Sequence, residues 1–589
     1  MRRLISYKIF LLTSLSITIK LSLRRTLQGS FRYSAGLILL SFSCGRRTVQ
    51  HCKSKLQIFH VSFSSLLSIS QPLQFLSKDF YYRSLRTPLR GAGGLSLCVK
   101  PLILLCVFVS PWFNSYAQRQ DINLNNDWQT SLKGTSAWKK VNVPHNWDGY
   151  YGYRRLQHGN LHGDAMYKKS FTIKQSKQGK RFFLFFEGVG SYATVILNGK
   201  PVGSHAGGRT TFTLDVTDAI KTDGSKNKLE VEASHTANIK DLPWVCGGCS
   251  DERGFSEGSQ PMGIFRPVHL IITNDVRIEP FGVHAWAEFE NNKASLFIST
   301  SVKNYSEKYR HLEIIHQLKN KAGLVLSEAG FYTLDIYPNV HPTEITIPMN
   351  DLVPTKWSIE NPYLYEIVSV IKENNKVIDQ VKSSFGFRTI NWKTSSNQFL
   401  LNGKPVFING IAEYEHLFGQ SHAFSNEQII ARVKWIKAAG FNALRDGHQP
   451  HNLLYGKLCN EKGILWWTQL SAHVWYDTKE FRNNFKQLLT EWVIERRNDP
   501  SVILWGLQNE SKLPEDFAKE CTELIRLLDP TASSQRLVTT CNGGTGTDWD
   551  VPQNWTGTYG GDPNTYAEDL KKQILVGEYG AWRTIDLHT

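Results

Sequence analysis

The chain has 589 residues, 41% of them hydrophobic and 12% aromatic with 17 tryptophans, which is length enough for several cores. Its formal charge of +16 is concentrated at one end: residues 1–100 hold 16 Lys and Arg against a single acid, Asp79, whereas residues 101–589 carry 52 basic and 51 acidic side chains. The near-neutral remainder offers no cationic footprint, so nucleic acid is excluded as an expected partner.

Residues 1–98 are rich in Ser, Leu and Arg, poor in acids and without a steady period, and read as a spurious or disordered extension. Val99-Lys100, the apolar run from Pro101 to Ser110 and Ser115-Tyr116-Ala117 before Gln118 have the grammar of a secretory signal over residues 99–117. The mature chain is therefore expected to begin near Gln118 and to be exported, periplasmic or secreted. The apolar run is too short to span a bilayer as a stable helix, so no membrane association is expected after cleavage. Cys246, Cys249, Cys459, Cys521 and Cys541 would remain. Cys246-Gly247-Gly248-Cys249 has no second pair to complete a metal site and reads as a local disulfide or two quiet thiols.

From residue 121 to 275 short alternating strands are separated by turn signals, as in an antiparallel sandwich; Arg181 to Val189, Ala193 to Leu197 and Lys200 to Ser204 are examples, and Asn198-Gly199 is a type I′ hairpin signal. Alternation continues over residues 276–392, with strands predicted at Ala294 to Val302 and Glu366 to Lys372. Past Asn397 the pattern changes to strand–helix alternation, the mark of a parallel α/β domain over residues 397–589. Its strands are predicted at Val406 to Ile411, Phe441 to Arg445, Ile464 to Leu470, Val502 to Glu510, Leu537 to Thr540, Trp555 to Tyr559 and Ile574 to Glu578. A helix from Ser425 to Gly440 opens on a capping box, Ser425 with Gln428, and a second from Thr478 to Arg497 puts Phe481, Phe485, Leu488 and Trp492 on one face.

Two of those strands carry the chemistry. Val502 to Glu510 is an apolar run that stops on Asn509-Glu510, and Ile574-Leu575-Val576-Gly577 stops on Glu578. Strands end on acids by chance, so neither alone means much. Two carboxylates at the C-terminal ends of two strands of one parallel barrel are the constellation that glycoside hydrolysis needs. Eight tryptophans fall between Trp466 and Trp582, and Trp467, Trp475, Trp549 and Trp582 are candidates for stacking on sugar faces, although core packing is the commoner use.

Several stretches resemble glycoside hydrolase family 2. Val143-Pro144-His145-Asn146-Trp147, Leu197 to Gly203 and Gly263-Ile264-Phe265-Arg266-Pro267-Val268 resemble its sugar-binding jelly-roll domain. Glu360 to Tyr365 and Phe385-Gly386-Phe387-Arg388 resemble its immunoglobulin-like domain, and Trp505 to Ser511, Ile574 to Gly580 and Gly440 to Pro450 its barrel motifs. The resemblance implies a multidomain chain: a jelly-roll β-sandwich, an immunoglobulin-like β-sandwich, then a (β/α)8 TIM barrel. Counting strands reaches the seventh at Glu578 with eleven residues to follow, so the barrel is expected to be incomplete and this chain poorly active.

What the resemblance implies about chemistry is a retaining exo-β-glycosidase acting on terminal β-linked sugars, β-galactosidase-like, with β-glucuronidase, β-mannosidase or an inactive carbohydrate-binding fragment as alternatives. Glu578 would be the nucleophile and Glu510 the acid/base; Asn509, Arg445, His448, Tyr559 and Tyr414 would bind substrate. Tyr414 stands where classical β-galactosidases carry a sugar-contacting His, and Gln469-Leu470-Ser471-Ala472-His473 lacks the acidic cluster that holds their magnesium. No metal or other cofactor is therefore expected; the expected partner is a carbohydrate substrate, with oligomers left open.

Overall fold

A computed structural model describes residues 119–149, 161–243, 261–554 and 574–579, apart from breaks at 238, 339–340, 393–397, 418, 472–476 and 512, together with isolated strands before residue 61. Met1–Phe108 and Val109–Thr589 are separate compact units. In the first, Arg3–Phe10 pairs antiparallel with Leu15–Leu23. The expected signal, residues 99–117, and Cys246 and Cys249 lie outside the described residues.

The second unit begins with two antiparallel sheets, four strands in the order Phe212–Asp215, Lys180–Phe186, Val268–Asn274, Gln120–Asn123, facing six that run from Lys200–Ala206 to Lys139–Val141. Alternation decides which side chains meet between them: Trp128, Tyr167, Val195, Leu229 and Val231 are fully buried while the residues on either side of each are not, and Phe182 and Leu184 are buried with Phe183 buried between them. The Asn198-Gly199 turn has φ of 54° and 80°, the doubly left-handed backbone that a type I′ hairpin requires.

A second sandwich follows. Val276–Glu290, Lys293–Asn304 and Thr343–Leu352 form one sheet, and Val325–Ile336, Arg310–Lys319, Tyr365–Glu373 and Lys376–Phe385 the other. Its core is a separate cluster built on Leu296, Ile298, Ile314, Ile367 and Phe387.

The remainder is a parallel sheet wrapped by helices. Its strands are β1 (Gly410–Glu413), β2 (Ala443–Asp446), β3 (Leu465–Gln469), β4 (Val502–Asn509), β5 (Leu537–Cys541) and β6 (Trp549–Val551), paired in that order. Beyond Pro552 the chain pairs again, Gln553–Asn554 running parallel to β7 (Glu578–Tyr579). β4 is buried at every residue, as its unbroken apolar run requires of a strand covered on both faces. The helices are α1 (Asn426–Ala438), α2 (Leu453–Lys462), α3 (Lys479–Arg496) and α4 (Glu515–Leu528). Ser425 caps α1 in a complete capping box with Gln428, and Thr478 caps α3. Phe481, Phe485, Leu488 and Trp492 of α3 pack with Trp505 in the barrel core.

Two strand positions depart from the sequence reading. The first barrel strand is Gly410–Glu413 instead of Val406 to Ile411, because Leu400–Leu401 and Lys404–Pro405 form a tight hairpin around Asn402-Gly403 that also draws in Val406, whose N–H bonds to Phe399 O at 3.0 Å. The seventh is Glu578–Tyr579 instead of Ile574 to Glu578, so Glu578 opens its strand, the expected Trp555 to Tyr559 lies outside the described residues, and the sixth strand seen is Trp549–Val551. Its short polar turn, Asn542 to Asp548, closes β5 to β6 without a helix, and Asp548 accepts from Val538 N–H at 2.9 Å.

Candidate active site

Parallel pairing sets Glu413 beside Asp446 and Asn509 beside Cys541 at the C-terminal ends of their strands, Gln469 at the end of β3 beside Gly506 within β4, and Gln553 beside Glu578 where the last two strands begin. Polar side chains at these ends must satisfy one another inside the rim or meet a ligand. Arg445, the penultimate residue of β2, does most of the joining. Its Nη1 donates to Glu578 Oε1 at 2.6 Å and to Gly577 O at 2.9 Å, and its Nη2 donates to Asn509 Oδ1 at 2.6 Å. The guanidinium lies 4.4 Å from the centre of the Trp467 ring, a flat support for a flat cation.

That arrangement fixes the Asn509 amide. Arg445 can only donate, and Gln553 Nε2 donates to the same Oδ1 at 3.2 Å, so the oxygen is occupied and Asn509 Nδ2 must point the other way. Nδ2 is buried and has no partner among the described residues, a donor held ready beside two carboxylate-bearing strand ends. Glu510 follows directly. Its backbone N–H donates to Cys541 O at 2.9 Å, and its φ of 46° lies in the left-handed region that a residue with a Cβ rarely adopts. Cys541 is a free thiol in the same layer; burial pushes it up to about 12, so it remains protonated.

His448 completes the cluster from the loop after β2. Its Nδ1 lies 2.7 Å from Gln469 Oε1, its Nε2 is 3.5 Å from Glu578 Oε1 and 3.3 Å from the Tyr414 hydroxyl, and the Tyr414 and His448 rings meet edge to face. His448 is 2% exposed and Tyr414 40%, so the tyrosine forms an outer wall and the histidine the floor.

Beneath this layer sits a buried ionic chain. Asp446 accepts from Trp466 Nε1 at 2.8 Å, Thr468 Oγ1 at 2.8 Å and the Gln469 N–H at 3.1 Å, with His451 Nδ1 also at 3.1 Å. His451 Nε2 reaches Glu413 Oε2 at 2.6 Å, and Arg432 of α1 pairs with the other Glu413 oxygen. Burial disfavours charge on His451, but Asp446 and Glu413 more than reverse that and raise it to about 9. Glu413 is the counterpart: burial pushes its carboxyl up, while His451 and Arg432 hold it well below the usual range.

Of the residues expected from sequence, Asn509, Arg445, His448, Tyr414 and Glu578 are gathered into one connected cluster, and Glu510 adjoins it through Asn509. Tyr559 lies outside the described residues, as do Trp475 and Trp582. Trp467 lies under Arg445 instead of walling a subsite, and its Nε1 is buried without a partner among the described residues. Trp549 opens β6 and packs against Trp392, with ring centres 5.8 Å apart, at the end of the strand away from the cluster. Gln469 and Gln553 were not singled out from sequence. Gln469 ends β3 and Gln553 opens the short strand paired with β7, and their positions beside the acidic residues were their signal.

Residues 393–574 match the TIM barrel domain of glycosyl hydrolases family 2, residues 276–388 match the central family 2 domain, and residues 110–242 match the family's galactose-binding domain-like region. The chain belongs to glycoside hydrolase family 2. The two sandwiches and the parallel barrel sheet are that family's architecture. A putative β-glucuronidase of Formosa agariphila is 27% identical over 552 residues, 87% of this chain and 63% of the relative. A β-glucuronidase of Bacteroides fragilis is 27% identical over 511 residues, 80% of this chain and 70% of the relative. The chain thus spans roughly two thirds of the length of these family 2 relatives. Among solved structures, a putative β-galactosidase from Bacteroides fragilis superposes with a TM-score of 0.69 at 24% identity, over 79% of this chain and 72% of that one, which is a likeness of fold.

Proposed function

We propose that this family 2 chain carries the active site of a retaining exo-β-glycosidase that removes terminal β-linked sugars from oligo- or polysaccharides. The observation that carries the reading is the Arg445 guanidinium, which holds Glu578 on one side and Asn509, the residue before Glu510, on the other. A clamp of this kind fixes the relative position of two strand ends, and misplacement of about 1 Å at such a centre can cost about 10²-fold in rate.

In this mechanism Glu578 attacks the anomeric carbon and forms a glycosyl ester as the glycosidic C–O bond breaks, while Glu510 gives its proton to the departing oxygen. Glu510 then takes a proton from water, whose oxygen attacks the anomeric carbon and releases Glu578. Two displacements return the original configuration. Asn509 Nδ2, unpartnered among the described residues, suits the hydroxyl next to the anomeric carbon, where a hydrogen bond strengthens as positive charge develops on the ring. His448 and Tyr414 line the remainder of the sugar subsite. No step requires a metal or other cofactor.

The sugar is a finer question with two candidates. A β-galactoside is the reading the family resemblance gives first, against which stand Tyr414 and the segment Gln469 to His473; a β-glucuronide is favoured by the names of the two curated relatives. Nitrophenyl β-galactoside, β-glucuronide and β-mannoside, each tested with the full-length protein, separate these readings from a binding module that hydrolyses none. A 2-fluoro glycoside of the preferred sugar is expected to label a peptide containing Glu578. Azide should rescue turnover of an activated substrate by Glu510→Ala with retained configuration, because a small anion fits the vacated space. Labelling at Glu510, or an inverted product, overturns the assignment. Export is the accompanying proposal, supported by the signal grammar of residues 99–117; N-terminal sequencing of exported material should begin near Gln118.

A further inference from the structure

Arg266 belongs to the first sandwich, in the segment leading into Val268–Asn274, yet its guanidinium ends inside the barrel domain. It is 2% exposed. Nη1 donates to Arg209 O at 2.7 Å, which anchors the side chain in its own domain. Nη2 donates to Glu415 Oε2 at 3.0 Å and to Pro450 O at 2.7 Å. Glu415 lies in the loop after β1, one residue past Tyr414, and Pro450 in the loop after β2, two residues past His448. The two loops are tied to each other by the same carboxylate, because Glu415 Oε1 accepts from the Asn452 N–H at 2.7 Å. Glu415 has φ of 43°, so its backbone is held in a conformation it would not adopt without its partners. Phe265 and Arg209 close the site on the sandwich side, the Arg266 guanidinium lying 5.2 Å from the Phe265 ring centre.

We infer that Arg266 is a positioning residue for the glycosidase site, a latch by which the sandwich domain sets the β1 and β2 loops and through them Tyr414 and His448. It bonds to neither Glu510 nor Glu578 and would not contact substrate. The geometry needs a planar fork: one nitrogen reaches back to Arg209 O while the other serves two acceptors on two loops, which an ammonium on a flexible stem cannot do from one position. The inference rests on the glycosidase reading for its effect on rate, but the latch itself is structural and is measurable without turnover.

Arg266→Met alone leaves Glu415 buried without its cation and could simply unfold the domain. The informative variant is therefore Arg266→Met with Glu415→Gln, in which no buried charge is stranded and the Gln oxygen can still accept from Asn452 N–H. Removing both charges of a buried pair is often neutral for stability. The double variant is expected to melt close to the parent, and hydrogen exchange in residues 414–416 and 447–452 to quicken by about tenfold or more while exchange in α3 stays unchanged. Glu578 labelling by the 2-fluoro glycoside should slow by about 10- to 100-fold, with Arg266→Lys between the two. Parent-like exchange in both loops overturns the latch whether or not the chain labels. Faster exchange with unchanged labelling overturns its positioning role, and a full-length parent that exchanges as expected but never labels refutes the glycosidase reading alone.

Discussion

At Glu510 an L-residue is held at φ of 46°, where its Cβ crowds the backbone. Such strain is of order 1 kcal/mol or more and persists where the surroundings impose it. Here the apolar run of β4 and the bond from the Glu510 N–H to Cys541 O impose it. Glu510→Asn, which tolerates the left-handed region, is expected to raise stability by about 1 kcal/mol in urea titration while turnover falls by about 10²-fold or more with the acid gone. A lower urea midpoint would mean that the Glu510 side chain contributes more to the fold than its backbone costs. Arg445→Lys tests the clamp. A lysine offers one point charge in place of three directed bonds, so labelling of Glu578 should slow by at least about tenfold with the fold intact. These residues were legible in the sequence because a carboxylate terminating an apolar run is a local pattern. Gln469 and Gln553 were not, since nothing in a lone glutamine says that His448 or Asn509 will stand opposite it.

Helices and strands here differ in how far their determinants lie. The ends of α1 and α3 are set by their own sequence: Ser425 and Gln428 bond reciprocally, and Thr478 accepts from the Phe481 N–H. Ser425→Ala should cost about 1 kcal/mol, measurable as a shift of the urea midpoint. The ends of β1 to β3 are set by the ionic chain beneath them, in which His451 lies between Glu413 of β1 and Asp446 of β2. His451→Ala strips Asp446 of its imidazolium and leaves Glu413 with Arg432 alone, and is expected to cost about 3–5 kcal/mol, against little change for a surface histidine such as His311. The start of β1 was misplaced on sequence because Val406 and Ile408 look like strand residues and instead pack against the hydrophobic cluster that includes Trp392 and Phe399. Hydrophobic pattern says that a side chain will be buried, not in which core.

Over the whole molecule the same ionic chain gives a signed dependence on pH. His451 binds its proton more tightly folded, near 9, than at its ordinary 6.5, so its contribution is complete below about pH 6.5 and is lost as pH rises through about 9. Glu413 is held below its ordinary 4.5, so its contribution is complete above that value and is lost as pH falls toward about 2. The contribution of this pair should therefore be largest between about pH 4.5 and 6.5, and His451→Gln should flatten the alkaline limb of the urea midpoints; an alkaline limb unchanged in that variant would place its origin elsewhere. The sequence by itself determined the order of architectures, two alternating sandwiches and then a strand–helix barrel, because a period of two or of 3.6 residues is written in neighbouring side chains. It also determined the carboxylate that follows β4, for the same local reason, whereas Glu578, expected to end a strand, opens β7. Only the tertiary structure decided that Arg445 joins Glu578 to Asn509 and that Arg266 of the sandwich reaches the loops bearing Tyr414 and His448. Those pairs are 133, 64 and more than 140 residues apart, and their distances follow from register and domain packing that no window of sequence contains.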